Sequence, residues 1–343
     1  MSTDALQTLH SSNRIPDRKD VILVTGAAGF IGSCLVKYLN ELGYENLIIS
    51  DDFSRPDKWK NLEGKQYLQR IDREHLLDWL AHEGWEHPIQ FIFHIGARTD
   101  TTEFNRQIFE RLNVQYSQQL WTYATKRQIP FLYASSAATY GDGSKGYDDD
   151  HAHIPELKPL NPYGWSKQQF DLWVLSQSIT PPYWYGLKFF NVYGPNEYHK
   201  GRMASVIWHA YQQIQETGIV RLFQSHRPEY RDGEQLRDFI YVKDILKICV
   251  WCMQHLPPSG IYNAGTGQAR TFYDLAKATF EAAGKPVQIQ YIPIPEDIRN
   301  TYQYFTQARI EKLRRAGFQD EFYSLENGIT DYVQQYLINH QYY

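Results

Sequence analysis

Hydrophobic and polar residues alternate along the chain in blocks that predict buried strands followed by helices. Residues 21–24 are consecutively apolar, which is typical of a strand covered on both faces. After a turn, apolar side chains recur at helical spacing at Leu35, Val36, Leu39 and Leu42. Further apolar blocks predict strands at 46–50, 90–97 and 130–136. Because helical stretches separate these blocks, the pattern predicts an α/β fold built on a parallel sheet.

A glycine-rich turn, residues 26–32, separates the first strand from the first helix. Gly26 would let the chain turn sharply, Gly29 would let the backbone approach a pyrophosphate, and Gly32 would let the helix pack closely. The phosphates would lie at the helix N-terminus, where free N–H groups and the helix dipole favour negative charge. Strand, turn and helix together therefore predict a dinucleotide-binding site of the Rossmann type.

The residues after the second predicted strand do not decide between NAD and NADP as the cofactor. Asp51, followed by Asp52, lies about 20 residues beyond the turn, where the fingerprint places an acid on the adenosine ribose. That acid favours NAD. Arg55 and Lys58 follow closely and could meet a 2′-phosphate, which favours NADP.

Beyond residue 190 the alternation of strands and helices becomes irregular. We therefore predict a doubly wound parallel sheet with a smaller, interleaved α/β substrate domain. Residues 21–189 would form the NADP-binding Rossmann domain, with 238–266 returning to it. The segments 190–237 and 267–343 would mainly form the substrate domain. Residues 1–20 are polar and lack the apolar core of a signal peptide, so we expect a flexible N-terminal extension.

Composition narrows the function classes. The net charge of −4 argues against nucleic acid as a partner, and no apolar run approaches the ~18 residues of a membrane span. We expect a cytoplasmic protein. The three cysteines do not suggest a disulfide framework, and Cys249 and Cys252 lie in an apolar, helix-like run that predicts core packing. The loop 141–156 contains acids and histidines, but we predict a solvated surface loop and no metal site.

Ser136, Tyr163 and Lys167 form a candidate catalytic set. Tyr163 and Lys167 share one face of a predicted helix, and Ser136 ends a predicted strand. Removing hydride from a carbinol carbon requires a base for the hydroxyl proton, and free tyrosine, with a pKa near ~10, is a poor one. A neighbouring ammonium and a positive nicotinamide would lower that pKa. Tyr273 and Lys277 repeat the spacing, but no serine-bearing strand precedes them, so we predict ordinary helix residues.

Together these motifs resemble the extended short-chain dehydrogenase/reductases, most of which act on nucleotide sugars. More narrowly, several segments resemble the ADP-L-glycero-D-manno-heptose 6-epimerase family: 101–103, 189–195, 199–201, 203–206 and 305–308. The resemblance covers roughly residues 21–335. It implies NADP as cofactor, an ADP-heptose substrate, a role in lipopolysaccharide core assembly and a homo-oligomer, expected to be a pentamer.

The resemblance also implies site residues, matched motif by motif. The implied cofactor residues are Gly26, Gly29, Phe30, Ile31, Gly32, Asp51, Asp52, Lys58, Arg73, Ile95, Gly96, Ala97, Arg98, Thr99, Asn113, Tyr163, Lys167 and Val192. The implied substrate residues are Ser136, Asn191, Lys200, Arg202, His209, Phe223, Gln224, Ser225, His226, Arg237 and Tyr302. Arg237 suits this role because a guanidinium makes bidentate contacts with a diphosphate.

Lys200 is implied as a second proton donor. Inverting a carbinol carbon turns its oxygen toward two different places, which a single tyrosine can hardly reach.

Some residues depart from the family pattern and leave the fine substrate preference open. Arg98 and Arg202 replace residues that tend to be small, and the loop between Phe223 and Arg237 is several residues longer.

Three other functions compete with this interpretation. Nucleotide-sugar 4,6-dehydratases usually carry Asp-Glu after the catalytic hydroxyl residue, whereas this chain has Ala137 and Ala138, which cannot transfer protons. A UDP-hexose 4-epimerase is disfavoured by the segments 191–195 and 199–201. A non-catalytic dinucleotide sensor is disfavoured because the serine, tyrosine and lysine of the catalytic set are all present.

Overall fold

The computed structural model describes residues 14–84, 86–101, 103–299 and 302–343. The strands in this part of the chain are β1 (Val21–Thr25), β2 (Leu47–Asp51), β3 (Gln69–Asp72), β4 (Ile89–His94), β5 (Phe131–Ser136), β6 (Trp184–Phe189), β7 (Asn191–Tyr193), β8 (Val220–Phe223), β9 (Leu236–Tyr241), β10 (Gly260–Ala264), β11 (Ala269–Thr271) and β12 (Ile289–Ile292). The α-helices are α1 (Phe30–Glu41), α2 (Arg73–His82), α3 (Arg106–Phe109), α4 (Tyr116–Arg127), α5 (Pro162–Leu175), α6 (Val206–Glu216), α7 (Val242–His255), α8 (Phe272–Ala282), α9 (Glu296–Arg299), α10 (Glu311–Arg315) and α11 (Leu325–Asp331).

The main sheet confirms the predicted Rossmann-type, doubly wound architecture. Among the described residues it has seven strands in the order β10-β6-β5-β4-β1-β2-β3, and every neighbouring pair is parallel. The chain moves outward from β1 through β2 to β3, then restarts on the other side of β1 at β4. The switch point between β1 and β4 is where such sheets bind ligands, at the carboxyl ends of the strands.

The central strands are buried on both faces, which explains their continuous apolar sequence. In β1, Ile22 and Val24 pack into a cluster with α1 and α7, whereas Leu23 packs into a second cluster with α2, α4 and α5. Successive side chains of a strand point to opposite faces, so a strand covered by helices on both sides needs apolar residues throughout. β3 was not predicted because it is an edge strand in which Ile71 alone is fully buried.

The rest of the chain builds smaller sheets against this core. β7, β9 and β11 form one three-stranded sheet, and β8 pairs with β12. The segment 238–266 is shared between the two parts of the molecule. Its β9 residues belong to the small sheet, whereas α7 packs on α1 and β10 joins the edge of the main sheet beside β6. As predicted, Cys249 and Cys252 are buried core residues of α7.

The loop 141–156 is less solvated than predicted. Asp149 is 2% exposed and its Oδ2 accepts a hydrogen bond from the Asn263 backbone N–H at 2.7 Å. His151 Nε2 accepts one from the Ile261 N–H at 3.0 Å. Both peptide groups belong to the edge strand β10, so these side chains cap the unpaired edge of the sheet. The prediction of a solvated loop is therefore wrong for Asp149 and His151.

The described residues contain neither a cluster of metal ligands nor a membrane-spanning helix. No group of three or more His, Cys, Asp or Glu side chains within them is arranged to hold a metal ion. No helix within them is both long and apolar enough to cross a membrane.

His151 should make the fold sensitive to acid. Burial lowers its pKa to about 4, whereas the unfolded chain takes up the proton near pH ~6.5. The stability that comes from the neutral ring is therefore present above pH ~6.5 and is lost as the pH falls toward about 4. Burial raises the pKa of Asp149 to about 6, and this acts in the opposite direction, with stability lost as the pH rises through that value.

We expect His151→Gln to reduce the loss of unfolding free energy between about pH 7 and about pH 5. Glutamine keeps an acceptor for the Ile261 N–H but does not titrate. Urea unfolding at the two pH values measures the difference. The control is His255→Gln at an exposed position of α7, which should follow the wild type. An unchanged pH dependence in His151→Gln would contradict the assignment.

Candidate active site

A cleft of about 570 Å³ opens at the switch point of the main sheet. Its walls are formed by the residues that follow β1, β2 and β4, as the topology requires. The predicted cofactor residues on these walls are Gly26, Gly29, Phe30, Ile31, Gly32, Asp51, Asp52, Lys58, Arg73, Ile95, Gly96, Ala97, Arg98 and Thr99. The predicted cofactor residues that lie outside the lining are Asn113, Tyr163, Lys167 and Val192.

The glycine turn is packed too tightly for side chains. Gly26 has φ +69°, and a Cβ there would lie 2.5 Å from the Cα of Gly96. A Cβ on Gly32 would overlap the Gly26 carbonyl oxygen. The turn therefore rests on the backbone that follows β4, and α1 rests on the turn. This packing leaves the N-terminus of α1 at the cleft.

The cleft fits a dinucleotide. No side chain caps the N-terminus of α1, and its first turn contains no acidic residue. Among the described residues, the buried Nε of Arg98 on the cleft wall has no hydrogen-bond partner. Free N–H groups at a helix N-terminus and an unpaired guanidinium nitrogen both suit an anionic diphosphate.

Asp51 is engaged by the turn itself. Its Oδ2 accepts hydrogen bonds from the backbone N–H groups of Ala28 at 2.9 Å and Gly29 at 3.1 Å. Its Oδ1 accepts one from Lys58 Nζ at 2.8 Å and one from the Asp52 N–H at 2.7 Å. The carboxylate is 7% exposed. Asp51 therefore shapes the glycine turn, a role that its sequence position did not indicate.

The predicted catalytic set meets where β5 ends and α5 begins. Ser136 is the last residue of β5, and Tyr163 lies in the first turn of α5. The Asn161 side chain caps that helix by accepting a hydrogen bond from the Gly164 N–H at 2.8 Å. Lys167 Nζ donates to the Ala134 carbonyl at 2.7 Å, so the ammonium reaches back to β5.

The pKa values in this set differ in part from the expectation. Burial lowers the pKa of Lys167 to about 8, and Asp171 opposes this shift. Burial also raises the pKa of Tyr163, and a hydrogen bond with Ser136 opposes it. The sequence predicts that the lysine ammonium lowers the tyrosine pKa. In the structure burial dominates at Tyr163, and the ammonium is directed to the Ala134 carbonyl.

Asn113 connects the cleft to the helix of Tyr163. It is 1% exposed and lies in a π-helical segment, Glu110–Gln115, a widened turn that is frequent at functional sites. Its Oδ1 accepts from the Arg98 N–H at 2.8 Å, and its Nδ2 donates to the Arg98 carbonyl at 2.9 Å. The same Nδ2 donates to Ser166 Oγ at 2.9 Å, which in turn donates to the Tyr163 carbonyl at 2.7 Å. Asn113 thus braces the site from outside the cleft lining.

A buried ion pair that sequence reasoning missed supports β5. Lys188 Nζ and Asp171 Oδ2 are 2.6 Å apart, and both side chains are fully buried. Asp171 also accepts from the Tyr133 hydroxyl at 2.9 Å and the Ser135 hydroxyl at 2.7 Å. The i, i+4 spacing of Asp171 from Lys167 was a readable signal. Lys188 gave no signal because it stands in an apolar strand.

The ion pair also reaches the segment after β5. Lys188 Nζ donates to Thr139 Oγ1 at 2.7 Å, and Thr139 Oγ1 donates to the Ser136 carbonyl at 2.8 Å. Ser136 is therefore held from both sides, through Ser135 before it and Thr139 after it.

Three predicted substrate residues form an aromatic and cationic cluster. The guanidinium of Arg237 lies 5.4 Å from the ring centre of Tyr302, and Tyr302 packs edge-on against Phe223 with ring centres 5.8 Å apart. Arg237 is 7% exposed and donates to the carbonyls of Leu236, at 2.9 Å, and Gln303. Burial lowers its pKa. The cluster can present a desolvated cation beside flat apolar faces.

The other predicted substrate residues lie around this cluster or apart from it. Ser225 and His226 are joined through the hydroxyl of Tyr304, which the His226 N–H reaches at 2.9 Å. The Gln224 N–H donates to the Ile292 carbonyl at 2.8 Å, continuing the β8–β12 pairing. His209 lies on α6, whereas Asn191 and Arg202 are exposed.

Lys200 lies on the wall of the dinucleotide cleft. Its Nζ is 5.5 Å from the ring centre of Phe30, and the side chain is half-buried. Burial lowers its pKa, and the Glu197 carboxylate opposes this shift. The structure therefore places a cation that can act as a proton donor beside the glycine turn.

Sequence reasoning placed Asp100 at this cleft but missed other residues of its wall, namely Thr25, Ser50, Ile108, Leu112, Tyr116, His199 and Met203. Ile108, Leu112 and Tyr116 are spaced by four residues after β4. This spacing, which places side chains on one helix face, was a readable signal. His199 and Met203 lie in the segments 199–201 and 203–206 that carry the family resemblance, but no helix or strand pattern placed them at the cleft.

A parallel sheet with a glycine turn at its switch point, beside a tyrosine and a lysine on the following α5, defines the short-chain dehydrogenase/reductase type of nicotinamide-dinucleotide protein. The chain belongs to the NAD dependent epimerase/dehydratase family, whose model matches residues 22–265.

Individual relatives are similar over nearly their whole length. An ADP-L-glycero-D-manno-heptose-6-epimerase of Fusobacterium nucleatum is 46% identical over 325 residues, covering 92% of this chain and 98% of that protein. The enzyme of the same name from Nitratidesulfovibrio vulgaris is 47% identical over 315 residues, covering 92% and 97%. The crystal structure of the Helicobacter pylori ADP-L-glycero-D-manno-heptose-6-epimerase superposes with a TM-score of 0.78 at 31% identity, covering 94% of this chain and 98% of that one. The resemblance predicted from the motifs is confirmed.

Breaking the Asp171–Lys188 pair should destabilise the protein strongly. Lys188→Met leaves a carboxylate buried without its cation, so we expect a loss of ~3–5 kcal/mol in unfolding free energy. The double variant Asp171→Asn/Lys188→Met removes both charges and should recover much of that loss. Urea unfolding measures both variants. Lys145→Met, which breaks an exposed ion pair with Glu156, is the control and should change stability by less than ~1 kcal/mol. Equal effects of Lys188→Met and Lys145→Met would contradict a structural role for the buried pair.

Proposed function

We propose that the protein is an isomerase that inverts C6 of the heptose in ADP-D-glycero-D-manno-heptose, giving ADP-L-glycero-D-manno-heptose. The observation that carries this proposal is that two titratable side chains, Lys200 and Tyr163, lie at or beside one dinucleotide cleft. Lys200 lines the cleft, and the Tyr163 backbone carbonyl is joined to the cleft wall through Ser166 and Asn113. The names of the relatives support the substrate.

The bound cofactor would be NADP. When bound, a nicotinamide dinucleotide supplies reversible hydride removal at a carbinol carbon. The N-terminus of α1 and Arg98 would hold its diphosphate. Arg55, Lys58 and Arg73 lie on the cleft wall, each paired with a neighbouring carboxylate. They support the choice of NADP, since a 2′-phosphate would be a further anionic partner for these cations. The engagement of Asp51 by the glycine turn supports the same choice, because its carboxylate is not free for two ribose hydroxyls.

Tyr163 would accept the C6 hydroxyl proton while Ser136 holds the C6 oxygen. Lys167 lies on the same face of the helix and would be the neighbouring cation that favours the ionised form of Tyr163. Its ammonium is held in place by the Ala134 carbonyl. Inversion requires the oxidised C6 to present its opposite face, which moves the C6 oxygen away from Tyr163. Lys200 would then supply the proton to the C6 oxygen at its new position, away from Tyr163. The lowered pKa of Lys200 makes that proton easier to give.

The residues after Ser136 argue against elimination of water. Ala137 and Ala138 lie in a short 3₁₀ turn directly after β5, where a dehydratase needs an acid and a base. Neither side chain can transfer a proton. This supports epimerisation over the 4,6-dehydratase alternative.

Substrate binding would centre on Arg237. Its buried guanidinium suits the ADP diphosphate, and the rings of Tyr302 and Phe223 suit the apolar faces of the nucleotide. The family resemblance also supports a cytoplasmic homo-oligomer, a pentamer, with a role in lipopolysaccharide core assembly.

Incubation of the protein with ADP-D-glycero-D-manno-heptose tests the proposed function. NMR of the recovered sugar nucleotide should show an equilibrium mixture of the two C6 configurations. A sugar whose C6 configuration never changes would overturn the proposal, and so would a product that has lost water.

Tyr163→Phe should nearly abolish epimerisation without unfolding the protein. Phenylalanine keeps the ring and removes the hydroxyl that transfers the proton, and such groups contribute ~10²–10⁴-fold in rate. Steady-state assays of C6 inversion measure the loss. Tyr273→Phe is the matched control, because Tyr273 lies 39% exposed on α8 with the same spacing to a lysine. A Tyr163→Phe rate above about a tenth of wild type would exclude Tyr163 as the base.

Lys200→Met should block epimerisation in both directions while ADP-sugar binding weakens only modestly. Methionine keeps much of the side-chain length but cannot donate a proton. Measurement of kcat, KM and ADP-sugar affinity separates the roles, with Lys126→Met on the exposed face of α4 as the control. A higher KM with unchanged kcat would mean that Lys200 only binds substrate, and the two-donor mechanism would fail.

A further inference from the structure

Lys200 lies in a loop, residues 194–205, that joins β7 to α6. The loop contains no strand; Lys200 lies in its short 3₁₀ segment, Tyr198–Met203, where the Lys200 N–H donates to the Glu197 carbonyl at 2.9 Å. These local bonds shape the segment but do not attach it to the rest of the molecule. Two of its polar residues are nevertheless buried, Asn196 at 0% and Glu197 at 1% exposure. Buried polar groups need hydrogen-bond partners, and these two show what holds the loop.

Asn196 ties the loop to two distant parts of the chain. Its Nδ2 donates to Ser33 Oγ on α1 at 2.9 Å, directly behind the glycine turn. The same Nδ2 donates to the Tyr343 carbonyl at 2.8 Å, and its Oδ1 accepts from the Tyr343 N–H at 2.9 Å. Asn196 has φ 72°, a left-handed conformation that asparagine tolerates better than most residues.

A second amide connects the same loop to the glycine turn. Asn61 is 1% exposed, and its Nδ2 lies 2.9 Å from the Ala28 carbonyl, 3.2 Å from the Asn196 carbonyl and 3.2 Å from His199 Nδ1. His199 directly precedes Lys200. The loop and the dinucleotide turn are therefore joined through one side chain.

The segment 341–343 covers the outside of the loop. The Tyr198 hydroxyl donates to the Gln341 carbonyl at 2.9 Å, and Lys65 Nζ donates to the Tyr343 carbonyl at 2.6 Å. The Tyr343 hydroxyl donates to Glu41 on α1 at 2.7 Å. Asn196 thus lies between α1 on one side and the segment 341–343 on the other.

Glu197 closes the other end of the loop. Its carboxylate accepts from the Ser205 hydroxyl at 2.7 Å, from the Ser205 N–H at 2.5 Å and from the Tyr332 hydroxyl at 3.0 Å. Ser205 also caps α6, so a change at Glu197 would disturb that helix as well. Asn196 is therefore the cleaner residue to test.

We propose that Asn196 is a positioning residue for Lys200, holding the Lys200 loop at a fixed place relative to the glycine turn. The proposal rests on the proposed function, in which Lys200 transfers a proton at C6. A lysine has a long flexible side chain, so the position of its ammonium depends on where its backbone is held. Misplacement of a reacting group by ~1 Å can cost ~10²-fold in rate.

Asn196→Gly removes the amide and keeps the backbone conformation, because glycine adopts φ 72° without strain. We expect kcat for epimerisation to fall by up to about 100-fold with little change in KM. Amide hydrogen exchange of residues 197–203 should become faster. Gln128→Gly is the matched control, since Gln128 also has positive φ, 55°, but ends α4 away from the loop. It should leave kcat and exchange of residues 197–203 unchanged.

A double variant separates positioning from general destabilisation. If Asn196 acts through Lys200, Asn196→Gly should cause little further loss in the residual rate of Lys200→Met, measured at high enzyme concentration. A multiplicative loss in the double variant would overturn the proposal, since independent sites contribute additively in free energy. Wild-type kcat in Asn196→Gly would also overturn it.

Two readouts do not depend on turnover. Acylation of Lys200 by an amine-reactive reagent, followed by mass spectrometry, should change in rate in Asn196→Gly together with the exchange of residues 197–203. If the wild type does not invert C6, the proposed function fails, but the role of Asn196 in placing Lys200 is still decided by these readouts. Unchanged acylation and unchanged exchange would overturn it.

Discussion

The close approach of the glycine turn to the end of β4 is the contact on which the rest of the site depends. Gly26 lies so near Gly96 that neither the turn nor its neighbour can carry a larger residue without moving the other. Just below the turn, Thr25 Oγ1 and His94 Nδ1 are 2.7 Å apart, and His94 Nε2 lies 2.8 Å from Ser117 Oγ on α4. Burial lowers the pKa of His94 to about 3, so this link stays neutral. The turn is thereby fixed to β4 and to α4.

Buried amide side chains connect this fixed region by hydrogen bonds to the segments that hold both proposed proton-transfer groups. Asn113 connects it to the helix of Tyr163, and Asn61 and Asn196 connect it to the loop of Lys200. An amide can donate and accept at the same time, so it joins peptide groups without burying a charge. The chemistry we propose needs two groups held at different places around one carbon. The amides provide that, because Asn61 and Asn196 bind the turn and α1, and Asn113 binds the segment after β4 against which the turn packs.

The sequence predicted those strands and helices that depend on the residue pattern within a single segment of the chain. Continuous apolar blocks predicted the central strands, but β3 escaped because Ile71 is its one fully buried residue. Contacts between distant segments gave no sequence signal. Asp149 binds a peptide group 114 residues later. Asp51 binds the backbone N–H groups of the glycine turn, 23 and 22 residues earlier in the chain, a contact that its predicted role at the cofactor ribose did not include. The cluster around Arg237 has no local pattern at all, so only the family resemblance pointed to it.

The central claim is that the chain removes and returns the same hydrogen at C6 while side chains handle the proton. An ADP-D-glycero-D-manno-heptose labelled with deuterium at C6 tests this most directly. NMR of the product should show inverted C6 with the deuterium retained on that carbon. Inversion with replacement of the deuterium by solvent hydrogen would contradict the account, because the C6 hydrogen would then have left as a proton.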